Sequence, residues 1–380
     1  MKKLLSRTLG IFAAAGLALM CYTCVDPVEP EFAFKEGLVY IDALMATTPG
    51  ASYVNISESA EVFGLNDVVN VAGARVSFVN TESLEEVLLF EDEEGYLPPA
   101  DFAAAVGETW RLNVEFADGR QYQSEPERIP ASVPVNELRA DYDPELVFSD
   151  EFNRNVPGHQ ISISFDDPAG EENYYYWRYR TFENLIYCAI CFEGIFRDNE
   201  CTTNTPLESS LREPYYTYGC IGPCWRIRFA SNIAIFSDQF SDGNSVSNLP
   251  IADILLYTNE NIVVEVQQLA ISASAYEYLR ALKDLIDNNS GLNAPLPAVL
   301  VGNLFNPQDP DEFVLGRFTA ASSATEQVYI ERIFIEEDQL EGRVIGLFED
   351  ERVMSPPTTT NTPCEESRFR TAVRPAKWED

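Results

Sequence analysis

The sequence holds a single histidine, His159. A zinc site built on two histidines is therefore excluded. Ser–His–Asp or Cys–His catalysis would have to run through that one ring. His159 follows Pro157-Gly158 at the start of a strand, where a polar surface histidine is expected rather than a base. No G-x-S-x-G elbow, Walker A loop, dinucleotide-binding glycine fingerprint or H-E-x-x-H motif accompanies it. Carboxylates are abundant, at 61 Asp+Glu, so adjacent pairs arise by chance and carry little information. Glu91-Asp92-Glu93-Glu94 reads as a solvated loop. Asp166-Asp167 and Asn306-x-x-Asp309-x-Asp311-Glu312 are oxygen-rich and could ligate calcium, or simply fold as Asx turns. Neither matches an EF-hand loop. No catalytic residue, metal site or cofactor is assigned, and the chain is expected not to be an enzyme.

Six cysteines follow the N-terminal region: Cys188, Cys191, Cys201, Cys220, Cys224 and Cys364. An even number in an exported chain suggests disulfides, and their connectivity stays open. Cys188-x-x-Cys191 and Cys220-x-x-x-Cys224 also resemble two zinc-ligand pairs. A bridge from the distant Cys364 would tie the C-terminal tail to the body.

Aromatic residues are the remaining candidates for recognition. Tyr174 to Arg180 is dense in aromatics, and strand alternation would bury one side and expose the other; an exposed row could stack on sugars or peptides, while core packing of both faces is equally natural. Tyr215, Tyr216, Tyr218 and Trp225 lie in or beside the cysteine-rich segment and are the candidate ligand contacts.

The elements that must position these residues are mainly strands. Residues 37–130 read as one immunoglobulin-like β-sandwich, with strands expected at Leu38–Leu44, Tyr53–Ile56, Ala74–Val79, Glu86–Phe90, Thr109–Phe116 and Gln121–Ser124. Trp110, Leu112, Val114 and Phe116 alternate with polar residues, and Asp118-Gly119 suits a type I′ hairpin turn. Residues 131–159 read as a Pro-rich junction. Residues 160–380 read as a larger β-sandwich or open barrel carrying the disulfides. Its strands are expected at Gln160–Phe165, Tyr174–Arg180, Trp225–Phe229, Ile262–Leu269, Ala298–Asn303, Val314–Ala320, Gln327–Ile335 and Val344–Phe348. One packed α-helix is expected there. Ser274-x-x-Glu277 forms a capping box, and Tyr278, Leu279, Leu282, Leu285 and Ile286 give one apolar face. Asn288-Asn289-Ser290-Gly291 ends it.

The N-terminus is an address. Lys2, Lys3 and Arg7 precede an apolar run from Leu9 to Met20, too short for a membrane span and suited to a signal peptide over residues 1–23. Cys24 then begins an acidic extended tether, residues 24–36, and is the candidate for lipidation. Cys21 is the other candidate, because Thr23 before Cys24 departs from the small residue usual there. The whole chain carries 26 Lys+Arg against 61 Asp+Glu, a net charge of −35. That charge excludes nucleic acid as a partner. Removing residues 1–23 takes away three positive charges and makes the mature chain more acidic still. Most of the basic residues left lie after residue 170, so recognition of an anionic ligand is expected in the second half.

Several segments together resemble one family, the Bacteroidota lipoproteins known as domain of unknown function 4249. They are Cys24-Val-Asp-Pro, Gly73-Ala-Arg-Val, Trp110-Arg-Leu-Asn-Val with Asp118-Gly119, Cys224-Trp225, and Asn232 through Asp238. Ile271-Ser through Tyr278-Leu, Pro297 with Gly302-Asn303, Gly316-x-Phe318, and Pro363-Cys364 through Trp378 complete the pattern. The resemblance implies an outer-membrane lipoprotein encoded beside a TonB-dependent receptor, and it supplies no catalytic residues. The expected function is a non-enzymatic accessory or ligand-binding partner of such a transporter in nutrient uptake. The chain would be held to the membrane by its lipid and exposed at the surface. The alternative is a structural or adhesive envelope protein.

Overall fold

The computed structural model describes residues 35–92, 95–192, 194–202, 215–230, 232–288, 300, 302–340, 348–349, 359 and 361–379. The expected signal peptide, Cys24, most of the tether, Glu93-Glu94, residues 289–291 and most of the expected strands Ala298–Asn303 and Val344–Phe348 lie outside them.

Among the described residues the fold is mainly β with one helix, and the strands form no closed barrel. An 11-stranded sheet forms its spine. At its centre Leu315–Ile330 pairs in parallel with Val39–Ala46 over its first half and antiparallel with Ile262–Ile271 over its second. Two strands, Val314–Ala320 and Gln327–Ile335, were expected here. The small polar residues between them look like a turn, yet Ser322 is fully buried and the strand runs straight through.

Two smaller sheets pack on one face of this spine. A six-stranded sheet containing Arg75–Asn80, Thr109–Glu115 and Gln121–Ser124 encloses the first core. Trp110, Leu112, Val114 and Phe116 are buried there against Ile41, Val54 and Phe318. A three-stranded sheet of Val135–Ser149, Arg154–Asp166 and Ser245–Leu255 encloses the second. Ile161, Ile163 and Phe165 meet Tyr175, Trp177, Val264 and Val266 in that core.

This arrangement corrects two expectations. Residues 37–130 do not close a sandwich by themselves. Val39–Ala46 takes Leu315–Ile330 as its neighbour, and Leu304–Phe305 extends the six-stranded sheet beside Gln121–Ser124. A parallel neighbour arrives through a long crossover, which local alternation cannot reveal. Nor are residues 131–159 a junction. They hold a long hairpin, with Val135↔Phe165 at one end and Ser149↔Arg154 at the other. Pro144 falls where the register shifts between Asp143 and Val147, on a strand at the sheet edge. An edge strand with a bulge tolerates proline, and exposed acidic residues along it hid the pattern.

The other face of the spine carries helix α1, Ala273–Asn288. Ala275 is fully buried against Leu44, Leu269, Ile271 and Ala321. The expected capping box is displaced. Ser272 Oγ accepts the Ala275 amide at 3.2 Å, so Ser272 is the N-cap, and Glu277 pairs with Arg280 one turn on. Ile286, expected on the apolar face, is exposed. No described helix is long and apolar enough to cross a membrane.

Candidate functional site

The six cysteines pair as Cys188–Cys220, Cys191–Cys201 and Cys224–Cys364. The Sγ atoms of Cys188, Cys224 and Cys364 lie within 4.8 Å of one another, as a zinc reading would require. They belong to two adjacent disulfides, so these sulfurs are committed to each other. Cys224–Cys364 fastens the tail, and the Trp378 ring then packs edge-on against Trp225 at 6.0 Å and Tyr329 at 5.6 Å. Arg370 donates to the Cys188 carbonyl at 2.7 Å.

The candidate ligand aromatics are core residues. Tyr216, Tyr218 and Trp225 are buried, Tyr216 and Tyr218 with Cys191 and Ile195 in a small cluster under the disulfides. The Tyr218 hydroxyl accepts the Phe196 amide at 3.0 Å. The segment expected to be a cysteine-rich loop is a strand, Tyr215–Ile221, in which Tyr216, Thr217 and Tyr218 are all buried. The Tyr215 side chain lies outside the described residues. The Tyr174 to Arg180 row is likewise covered on both faces. Tyr175 and Trp177 enter the second core, while Tyr174 and Tyr176 pack beneath α1.

The oxygen-rich loops divide. Asn306 Oδ1 accepts the amides of Gln308 at 2.8 Å and Asp309 at 3.2 Å, an Asx turn. Asp167 meets Asp238 and Asp242, with carboxylate oxygens within 4.8 Å. That trio could offer oxygen ligands to a hard cation. Its oxygens already accept from the Tyr175 hydroxyl at 2.5 Å and from the amides of Gly243, Asn173 and Gly170.

A cavity of about 260 Å³ opens where the second core ends, between the spine and the three-stranded sheet. Alternation on Tyr174–Asn184 sends Tyr179, Thr181 and Glu183 to this side, in line with the core residues Tyr175 and Trp177. Arg228, paired opposite Thr181, enters from the neighbouring strand. Asp253 and Tyr257 are exposed at the rim, and Arg332 lines the cavity from the turn after the spine strand. Glu183 is buried and serves two guanidinium groups, Arg226 at 3.3 Å and Arg228 at 3.7 Å. Arg228 also stands over the Tyr257 ring at 5.2 Å. Burial lowers the Arg332 guanidinium to about 10 and raises the Tyr179 hydroxyl to about 12. It also raises the Asp253 carboxyl above its usual range.

His159 stands behind Arg332. It is 3% exposed, which corrects the surface role expected of it. Tyr142 packs on its ring at 5.2 Å, and Arg332 reaches its Nδ1 at 3.4 Å. Burial and the Arg332 charge push its pKa down to about 4. The neutral ring accepts at Nδ1 and so carries its proton on Nε2. The sign of the linkage follows. Protons bind the unfolded ring from about pH 6.5 downward and the folded ring only near pH 4, so stability is lost as pH falls through that window. At about pH 5 the penalty is roughly 2 kcal/mol. Urea unfolding should therefore show wild type losing about 2 kcal/mol more than His159→Gln between about pH 7.5 and pH 5. Equal losses would refute the buried neutral ring.

The sequence did not single out this cavity, because Glu183, Arg228, Asp253 and Arg332 are spread over 150 residues with no shared motif. The periodicity of Tyr174–Asn184 was its only signal. No curated protein and no solved structure matches the chain. A family model does match, over residues 25–327 of the 380, and the chain belongs to that family, the Domain of unknown function (DUF4249).

Proposed function

We propose that this chain is an outer-membrane lipoprotein, anchored through Cys24. It acts without catalysis as a ligand-binding accessory of a TonB-dependent transporter. One observation carries the reading: a basic start and an apolar run to Met20 precede Cys24, ahead of a body whose six cysteines are all oxidised in pairs. Stable disulfides belong to oxidising compartments, so export and pairing support each other. The acidic extended segment after Cys24 suits a spacer between a lipid and a folded body. A strongly acidic surface resists non-specific association with phosphate-bearing surfaces, which suits a protein held close to a membrane by its lipid alone. The cavity beside Arg332 supplies the ligand-binding part.

Metabolic labelling with a palmitate analogue should mark the wild-type protein, and Cys24→Ala should abolish the label. Labelling that survives this substitution would move the anchor to Cys21 or remove it. A detergent pull-down from native membranes should recover a TonB-dependent transporter. Recovery of envelope structural proteins without one would favour the adhesive alternative.

A further inference from the structure

We propose that the cavity beside Arg332 is a binding site for a small organic carboxylate built on one ring. The inference deepens the ligand-binding part of the proposed function and is independent of any transporter. Arg332 carries it. The residue is 2% exposed, its Nε has no hydrogen-bond partner, and it forms no ion pair among the described residues. Its guanidinium has one polar side-chain contact, the long one to neutral His159. A buried cation in this state is unfavourable unless an anion completes it. The carboxylate whose charge acts on it, Glu183, is already engaged by Arg226 and Arg228.

Arg332 is thus a buried cation without an ion pair among the described residues, in a protein whose net charge is −35. The local field favours an anion, while the global field repels a polyanion. A monoacid satisfies both. A guanidinium presents its N–H groups in a planar fork that a carboxylate matches with two parallel hydrogen bonds. The walls are flat and apolar, formed by Tyr179, Tyr257, Phe229 and Ile262. The size agrees with one ring: a cavity of about 150 Å³ accepts benzene, and this one measures about 260 Å³. Asp253 at the rim offers an acceptor to a hydroxyl on the far edge of the ring.

Calorimetry on the purified full chain tests the assignment with two acids, benzoate and galacturonate, their neutral counterparts benzamide and galactose, and inorganic phosphate. One of the acids should bind at one site per chain, about tenfold or more tighter than its neutral counterpart, a difference of about 1.4 kcal/mol. Arg332→Gln should abolish that preference, and Arg332→Lys should restore part of it. Without ligand, Arg332→Gln should unfold at the wild-type denaturant concentration or higher, because it removes an uncompensated buried charge. Should that variant fail to fold, Tyr257→Ala at the exposed rim should weaken the acid severalfold. The proposal is overturned if neither acid binds, if acid and neutral probe bind alike, if phosphate alone binds, or if Arg332→Gln binds the acid unchanged. A failed membrane pull-down would count against the transporter reading and leave this site standing.

Discussion

Replacing Cys224 and Cys364 together by alanine should cost about 5 kcal/mol of stability, the chain-entropy value for a loop this long. The two residues are 140 apart in sequence. Their cross-link removes more freedom from the unfolded chain than Cys191–Cys201, which are 10 apart and for which the same relation gives about 3 kcal/mol. The double replacement matters. Cys188, Cys224 and Cys364 present their sulfurs within 4.8 Å of one another. A thiol left at Cys224 alone would therefore face the Cys188–Cys220 disulfide and could exchange with it. Urea unfolding of the two double variants gives the comparison. Limited proteolysis should also cut the tail after Asn361–Pro363 more readily, because non-covalent ties alone then hold it, among them the pairing of Arg370–Thr371 with Trp225–Phe229, the Arg370 bond to the Cys188 carbonyl and the Trp378 ring contacts. If losing Cys191–Cys201 destabilises as much, loop length is not what sets the contribution of Cys224–Cys364.

The short-range pattern was legible and the long-range pattern was not. The strand Trp225–Phe229 matches its expected bounds, and the Thr109–Glu115 strand buries Trp110, Leu112 and Val114, with Phe116 buried just past its end, as the alternation picks out. Periodicity reports which side of a strand is apolar, and that is a local property. It does not report what lies beyond. Tyr216, Tyr218 and Trp225 were expected to meet a ligand because a second layer over them comes from distant segments. His159 was expected at the surface for the same reason, since Tyr142 on a neighbouring strand and Arg332 from the turn after the spine strand bury it. The long hairpin Val135–Ser149 with Arg154–Asp166 was hidden by prolines at a bulge and by charges on an exposed edge. Cysteine counting succeeded because export chemistry, rather than fold, decides whether thiols pair.

The segments by which the sequence resembles its family become intelligible in the structure. Gly302 and Gly316 touch backbone to backbone, and Gly316 has φ +94 against the Ile41 carbonyl, so a side chain fits at neither position. Asn303 clasps the Phe318 backbone from both sides, accepting its amide at 3.0 Å and donating to its carbonyl at 2.9 Å. Asn303 also donates to Glu127 at 3.2 Å. Ser272 and Ser274 at the start of α1 donate to the same carboxylate, at 2.7 and 3.2 Å. Three of the motif pieces, those holding Ser272 and Ser274, Asn303, and Arg317, therefore converge on one buried carboxylate, Glu127. They are the fold's fastening, whereas the cavity at Arg332 is built largely from residues outside them.

That fastening leads to the second large expected effect. Glu127 and Arg317 form a contact pair, each with 6% of its side chain exposed. Burial lowers the Arg317 pKa, and the Glu127 charge opposes that shift. Glu127→Gln deletes the charge and keeps the shape; its amide oxygen can still accept from Ser274 and Asn303, while its amide nitrogen can no longer accept from Ser272 and must donate to that hydroxyl instead. Arg317 would then be a buried cation without an anion, and the loss should be about 3–5 kcal/mol. Arg317→Met in the same chain removes the stranded charge, so the double variant should be more stable than Glu127→Gln alone. The cycle separates two accounts. If the pair itself stabilises the fold, the double variant stays as unstable as the single one. If its role is to let two charges be buried together at a crossing of segments, the double variant recovers most of the loss. The second outcome is expected, because the amide oxygen still accepts from Ser274 and Asn303 and the amide nitrogen can donate to Ser272 Oγ, so the polar groups left there stay paired. A Glu127→Gln protein within about 1 kcal/mol of wild type would show that Arg317 reaches water, contrary to its burial.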